Sequence, residues 1–249
     1  MAKKKKRRIK KKSGKKSFII LLIAFILITL SLFIYYSKFS VKKFESNEIP
    51  EGFSSYGYDI SHHQGPINWE NLLDSSNIEQ FPDFIYIKAT EGVTFIDPEW
   101  KNNRQACLEN NIPHGAYHFF NPKKLPIPQA EHFLTHYDVN EHDLPPVLDV
   151  EKDGFSDGDL VKKMEKWLQF VELKTGKRPI IYTYYNMYKK ILKSNFPNYK
   201  FWVASYSKNK RKIMLNDPQI IHWQFSDIGK LRGHESHVDL NVSKISFEP

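Results

Sequence analysis

Two carboxylates separated by one residue, Asp149 and Glu151, are the sharpest chemical signal in this sequence of 249 residues. They follow the apolar run Pro145–Leu148, which is typical of a strand buried on both faces. Side chains alternate along a strand, so both carboxylates would share one face, about 6–7 Å apart along the chain. Two acids at the rim of a dry interior push their pKa values apart, and one can then donate a proton while the other stays charged. Glycoside hydrolysis needs this division of labour. The alternative is two solvated carboxylates paired with Lys152 or Lys88.

Other polar and aromatic residues fall where further predicted strands end. In a barrel of parallel strands these ends meet at one face, where active sites form. Asp59, Glu91 and Asp239 would join the first two acids there, and five like charges in one barrel mouth would be costly unless they served a site. Aromatic side chains in the same places are typical of a sugar-binding cleft, although each one singly is more often packing. The candidate substrate-binding residues are Lys88, Glu91, Tyr117, Phe119, Tyr182, Tyr184, Tyr206, Trp223 and Gln224.

Metal and nucleophile chemistry find little support in the sequence. His62 and His63 are adjacent, and His234 and His237 are three apart in a loop, so neither pair has a zinc-protease spacing. No serine lies in a G-x-S-x-G turn. The single cysteine, Cys107, excludes an internal disulfide framework and a cysteine-based zinc site. We therefore expect no metal.

Short apolar runs alternate with helical patterns from Tyr56 onward, which predicts an α/β fold. Five βα units precede strands with no clear helix between them, so we expect a (β/α)-type barrel with an irregular final portion. A doubly wound open sheet is the rival, but the loop SHHQGP after the first strand offers no phosphate cradle. The predicted strands are 56–61, 84–90, 114–120, 146–151, 179–185, 201–207, 220–225 and 238–242, and the predicted helices are 69–76, 100–111, 129–137, 157–175 and 187–194.

The N-terminal residues differ in composition from the rest of the chain. The chain carries 37 Lys and Arg against 28 Asp and Glu, but residues 1–43 hold 14 of the basic residues and none of the acidic ones. The remainder is therefore net acidic, which argues against a nucleic-acid partner. Residues 18–36 contain no charge and would span about 28 Å as a helix. We expect a basic cytoplasmic tail (1–17), a transmembrane signal-anchor (18–36), a tether (37–54) and a catalytic barrel (55–249).

The same residues could instead form a cleaved signal peptide, which would release the protein. The uncleaved anchor is favoured because the apolar run exceeds a usual signal-peptide core and no small-x-small site follows it. Positive charge stays in the cytoplasm, so the N-terminus would be inside and the barrel outside. The expected localisation is a single-pass membrane anchor with the barrel extracytoplasmic.

The quoted residues, with several longer stretches, resemble glycoside hydrolase family 25, the lysozymes that act as N-acetylmuramidases. The resemblance covers residues 56–247 and includes GYDISHHQGPINW (57–69), FIYIKATEGVTFIDPEW (84–100), HGAYHFF (114–120), LPPVLDVE (144–151), FWVASY (201–206) and VDLN (238–241). It implies a barrel fold and cleavage of the β-1,4 bond between N-acetylmuramic acid and N-acetylglucosamine in peptidoglycan, without a cofactor. The implied partner is the glycan strand, and we expect the protein to be a monomer.

Site roles follow from the same resemblance, residue by residue. Glu151 resembles the general acid, Asp149 and Asp59 resemble its partner carboxylates, and Asp239 resembles a further acid of the site. A direct nucleophile, an inverting base and a substrate-assisted reaction all remain open. Two other functions also remain open: a non-catalytic glycan-binding module tethered to the membrane, and a barrel glycosidase that acts on chitin-like polymers.

Overall fold

The computed structural model describes residues 21–31, 48–73, 81–138, 144–231 and 234–247. The chain divides into two units, Met1–Val41 and Lys42–Pro249. In the first unit, residues 21–31 form an exposed helix. Within the described ranges, no helix has both the length and the apolar character that crossing a membrane requires. The predicted spanning helix over 18–36 is therefore not confirmed. Its ends, 18–20 and 32–36, lie outside the described residues, as do the predicted tail and residues 37–47 of the tether.

The second unit is built on a closed barrel of eight strands, with a short ninth strand added as a hairpin. Six pairings between neighbouring strands are parallel, from β1–β2 round to β7–β8. β9 closes the barrel because it pairs antiparallel with both β8 and β1. The strands are β1 (Ser55–Ile60), β2 (Phe84–Glu91), β3 (Phe95–Ile96), β4 (His114–Phe119), β5 (Val147–Asp149), β6 (Ile180–Tyr184), β7 (Phe201–Ala204), β8 (Ile220–Gly229) and β9 (Val238–Ser243).

Helical segments connect the parallel strands, as the alternating pattern predicts. A barrel-like α/β fold with an irregular end is thus confirmed, but the expectation of no clear helix after the fifth unit is wrong. A short helix lies between β7 and β8, and the sequence hides it because only Met214 of that helix is buried. The helices are α1 (Trp69–Leu72), α2 (Trp100–Glu109), α3 (Pro126–Leu134), α4 (Asp157–Thr175), α5 (Tyr185–Met187), α6 (Lys193–Asn195) and α7 (Arg211–Asn216), with a π-helical turn at Tyr188–Leu192 and a 3₁₀ turn at Lys208–Lys210.

The long helix α4 shows how local signals set these boundaries. The Ser156 hydroxyl accepts a hydrogen bond from the Asp159 N–H and caps the first turn. Gly176 ends the helix in the left-handed conformation with φ 68°, which glycine adopts without a steric penalty. The buried stripe that faces the barrel consists of Leu160, Met164, Trp167, Leu168 and Val171.

Alternate residues of each strand pack inside the barrel or against the helices. Phe84, Tyr86, Val147, Tyr182 and Trp202 belong to the smaller inner cluster, whereas their chain neighbours join the core beneath the helices. This layer of large rings fills the barrel below the carboxyl ends of the strands. The polar residues that follow it therefore sit on a packed floor.

Candidate active site

A cleft of about 380 Å³ opens at the carboxyl-terminal ends of the parallel strands. Every barrel strand contributes to it directly or through the loop that follows. Its acidic residues are Asp59, Asp149, Glu151 and Asp239, and its other lining residues are Ser61, His63, Gln64, Lys88, Tyr117, Phe119, Val147, Tyr182, Tyr184, Trp202, Tyr206 and Gln224. The structure thus brings together all four acids that the sequence nominates as catalytic.

Asp59 lies at the centre of a buried hydrogen-bond network. Its Oδ2 accepts hydrogen bonds from Gln224 Nε2 at 2.9 Å and from Asn241 Nδ2 at 2.7 Å. Trp202 Nε1 donates to Asn241 Oδ1 at 2.8 Å, which fixes the orientation of that amide. Burial raises the pKa of Asp59 to about 6, and the negative charge of Glu151 adds to this effect, although the two amide hydrogen bonds oppose it.

Gln224 is held just as firmly from the other side. Its Oε1 accepts the Tyr182 hydroxyl at 2.9 Å and the Tyr206 hydroxyl at 3.0 Å. The Gln224 side chain therefore accepts hydrogen bonds from two tyrosines through its oxygen and donates one to Asp59 through its nitrogen. Such a network, with matched donors and acceptors, holds its members in one arrangement.

Asp149 and Glu151 occupy different depths of the cleft. Asp149 is 6% exposed, and its Oδ1 has no hydrogen-bond partner among the described residues. Burial and the charge of Glu151 raise the pKa of Asp149 well above its ordinary value. Burial also raises the pKa of the half-buried Glu151, while hydrogen bonds with Tyr184 and Tyr182 lower it in part. Each acid favours its protonated form more than it would in water.

Asp239 enters the site from the antiparallel strand β9. It is the direct cross-strand partner of Asp59. Burial raises the pKa of Asp239 to about 9, and the nearby charges of Asp59, Asp227 and Glu151 contribute in the same direction. The cleft therefore holds protons at neutral pH that isolated carboxylates would have released.

A cationic edge borders the acids on the side of β2 and β4. The buried Lys88 Nζ donates to Glu91 Oε2 at 2.8 Å, and the exposed Lys152 Nζ lies 3.9 Å from Glu91 Oε1. Both ammonium groups contact the Phe119 ring, 4.8 Å and 4.6 Å from its centroid. Glu91 is a predicted substrate-binding residue, but it does not line the cleft. Its carboxylate instead forms ion pairs with Lys88 and Lys152.

The structure places two predicted substrate-binding residues outside the cleft lining, Glu91, which pairs with the lysines, and Trp223. Trp223 is fully buried beneath the helices, where its Nε1 donates to the Ser205 carbonyl at 2.7 Å and its ring contacts Phe53. Its placement in the cleft is therefore wrong. Neighbours on a strand point to opposite faces, so Gln224 could face the cleft only if Trp223 faced away.

Sequence reasoning also missed residues that the cleft uses. Trp202 lines it and packs edge-on against Tyr182, with 4.8 Å between the ring centroids. Asn241 donates a hydrogen bond to the Asp59 carboxylate and so helps to fix its position. Both carried a usable signal: Asn241 lies two residues after Asp239 on one strand, and Trp202 lies two residues before the small Ala204 in the pattern FWVA. Ser61, His63 and Gln64 belong to the loop after β1, and a strand pattern could not find them.

A comparison with known protein families matches residues 58–234 to the family described as Glycosyl hydrolases family 25. The match spans most of the barrel and includes all the cleft acids except Asp239. The chain belongs to glycosyl hydrolase family 25. It is therefore a glycoside hydrolase, and the family resemblance of its sequence is confirmed.

Relatives and solved structures agree with this membership. The uncharacterized protein YegX of Escherichia coli K12 is 37% identical over 84% of this chain and 76% of its own length. The autolytic lysozyme of Clostridium acetobutylicum is 30% identical over 74% of this chain and 54% of its own length. A family 25 glycosyl hydrolase from Bacillus anthracis has a similar fold, with a TM-score of 0.68 and 27% identity over 82% of this chain and 95% of its own.

Proposed function

We propose that this family 25 hydrolase is a lysozyme, an N-acetylmuramidase that cleaves the β-1,4 bond between N-acetylmuramic acid and N-acetylglucosamine in peptidoglycan. The observation that carries the proposal is the convergence of four carboxylates with raised pKa values in one cleft of a family 25 barrel. Relatives named as lysozymes from Clostridium acetobutylicum and Streptomyces globisporus support the substrate.

Glu151 serves as the general acid in this proposal. Burial raises its pKa above the ordinary value, which favours the protonated form that a general acid needs, and its hydrogen bonds with two tyrosines orient the carboxyl group. Protonation of the glycosidic oxygen breaks the bond to C1 of muramic acid, and positive charge develops on that sugar. Glu151 becomes a carboxylate when it gives its proton to the glycosidic oxygen, and ionised carboxylates beside it stabilise the positive charge on the sugar.

Asp149 faces the developing charge with an unused acceptor. Its buried Oδ1 lacks a partner among the described residues, so a hydrogen bond from a substrate N–H would satisfy an otherwise unpaired acceptor. This feature favours a reaction in which the 2-acetamido oxygen attacks C1 while Asp149 holds the acetamido N–H. Proton NMR of the first-formed anomer tests this step, because retention agrees with it and inversion excludes it.

The direct test is a digest of purified peptidoglycan with the full-length protein in detergent. Products are reduced with borohydride and identified by mass spectrometry. We expect fragments that end in reduced muramic acid from the wild type and from Glu165→Gln, an exposed glutamate on α4. Glu151→Gln should give at least a hundredfold fewer, because an amide has no acidic proton to transfer to the leaving oxygen.

Other outcomes of this digest would reject parts of the proposal. Fragments that end in reduced glucosamine would keep the hydrolase but refute the bond specificity. A folded wild type that cleaves only chitin oligomers would favour the chitin-like substrate. If it binds peptidoglycan without products, a glycan-binding module is the better description.

We also propose that residues 18–36 anchor the protein in the membrane, with the N-terminus cytoplasmic and the barrel extracytoplasmic. Support comes from the uncharged run itself and from the basic residues that precede it. Alkaline carbonate extraction of membranes should leave the full-length protein in the pellet. Protease added to spheroplasts should degrade the barrel. Recovery in the carbonate supernatant would refute the anchor, and a shortened protein in the medium would indicate a cleaved signal peptide.

A further inference from the structure

One edge of the cleft carries two lysines on a single aromatic ring. We name Lys88, Lys152 and Phe119 the lysine edge. The two ammonium groups lie 4.8 Å and 4.6 Å from the Phe119 ring centroid, and Lys88 Nζ also lies 5.6 Å from the centroid of Phe95. The face of an aromatic ring attracts cations, so Phe119 gathers both charges at the cleft wall.

The lysine edge carries more positive than negative charge. Glu91 is the ion-pair partner of both lysines, so Lys88, Lys152 and Glu91 together carry one positive charge in excess, and this charge also acts on the neighbouring Glu151. Lys88 is almost fully buried and makes the short contact to Glu91, at 2.8 Å. Lys152 is 58% exposed and lies farther from Glu91, at 3.9 Å. Lys152 can therefore turn towards a negative group in the cleft with little loss of existing contacts.

We propose that the lysine edge binds a carboxylate of the peptide stem on muramic acid, so that the enzyme prefers glycan whose stems are ionised. This inference rests on the proposed muramidase function and concerns the same cleft. The rest of the lining offers mainly carboxylates, tyrosines and amides, and these suit sugar hydroxyls better than an anion. Lys152 and Lys88 are the residues that could favour a negative substituent over a neutral one.

The position of the edge fits a group attached beside the scissile bond. Phe119 and Lys88 line the cleft itself, and Lys152 directly follows Glu151, the proposed acid. A stem that leaves the muramic acid near this acid would pass the lysine edge. The half-buried Phe119 ring lines the cleft and can contact the apolar part of the stem while Lys152 contacts its carboxylate.

The test compares soluble glycan fragments that differ only in stem charge. One sample keeps its stem carboxylates, and in the other carbodiimide coupling has converted them to methylamides. We expect the wild type to cleave the charged sample with about fivefold higher kcat/KM, the usual scale for one exposed ion pair. Lys152→Met should lower the ratio of the two kcat/KM values to about one, and Lys152→Arg should keep it near fivefold. Lys124→Met, an exposed lysine in the loop before α3, should also keep it.

The ratio of kcat/KM on the charged sample to kcat/KM on the methylamide sample separates binding of the stem carboxylate from effects on Glu151. Loss of Lys152 also changes the field at Glu151, but that effect acts equally on both samples and cancels in the ratio. Increasing salt should lower the wild-type ratio towards one, since exposed charges are screened. A ratio that Lys152→Met leaves unchanged would overturn the inference while the muramidase assignment stands. No reduced muramic acid from either sample would instead refute the proposed function.

A third sample distinguishes the two carboxylates near this position. An amidase removes the stem and leaves the free lactyl carboxylate on the sugar. On this sample Lys152→Met should lose no more kcat/KM, relative to the wild type, than it loses on the methylamide sample, because both samples lack a stem carboxylate. If the variant loses as much there as on the stemmed sample, the lysine edge binds the lactyl group, and the assignment to the stem is wrong.

Discussion

Replacing Asp59 with asparagine should stabilise the protein at neutral pH although it damages the site. Asp59 is buried, and its pKa is raised from 3.8 to about 6. The folded state therefore holds this proton more tightly than the unfolded state does. The stabilising contribution is complete below pH 3.8 and is lost as the pH rises through about 6. An asparagine cannot ionise, and its side-chain oxygen can still accept hydrogen bonds from Gln224 and Asn241.

The size of the effect follows from the two pKa values. At 1.36 kcal/mol per pKa unit, the rise from 3.8 to about 6 corresponds to about 3 kcal/mol. The free energy of unfolding of Asp59→Asn, relative to the wild type, should increase by about this amount between pH 4 and pH 7 and then level off. Without the charge of Asp59, the pKa of Asp239 would fall from about 9 towards its ordinary value, which adds to the difference only at higher pH, where Asp239 ionises in the wild type.

Urea unfolding followed by tryptophan fluorescence measures this difference at pH 4, 5, 6, 7 and 8. Asp153→Asn, an exposed residue in the loop before α4, is the matched control and should show a nearly constant difference. A difference for Asp59→Asn that does not vary with pH would refute the reasoning. It would mean that the buried carboxylate is solvated or paired well enough to ionise as it does in water.

Three further predictions concern packing and the pH dependence of cleavage. Trp223→Phe should lower the free energy of unfolding by about 1–2 kcal/mol through the lost hydrogen bond and leave kcat/KM unchanged, as denaturant curves and turnover on peptidoglycan will show. Gly115→Ala should lower the free energy of unfolding by about 2 kcal/mol or more, because the added Cβ would lie 2.4 Å from the Tyr86 ring. The control Gly158→Ala places its Cβ in open space and should leave the protein as stable or more stable. Thermal unfolding of both variants measures the difference. Lys152→Met should shift the alkaline limb of the pH–rate profile to higher pH, because loss of that charge raises the pKa of the acid that must stay protonated; a shift to lower pH would contradict this.

The periodicity of the strands was enough to predict much of the barrel and its acidic cleft. Alternation placed Asp149 with Glu151, and strand ends supplied Asp59, Asp239 and the tyrosines. Period-two patterns do not state which of two neighbours faces inward, and the prediction that Trp223 lines the cleft is wrong for this reason, because its ring packs under the helices. The short helix α7 was missed for a related reason, since one buried residue makes no periodic signal.

What the sequence could not reveal is the direction in which the last strand closes the barrel. β9 runs antiparallel to β1, and this pairing sets Asp59 directly opposite Asp239. Two like charges at directly opposed positions destabilise a sheet. The pair is tolerated because burial raises both pKa values, so that Asp239 keeps its proton at neutral pH and only one of the two carries charge. Closing the barrel does not itself require two acids at this position, and an apolar pair would serve. The next pair along the same two strands, Tyr58 and Leu240, is apolar. The cost is therefore evidence that the site, rather than the barrel, requires these two acids.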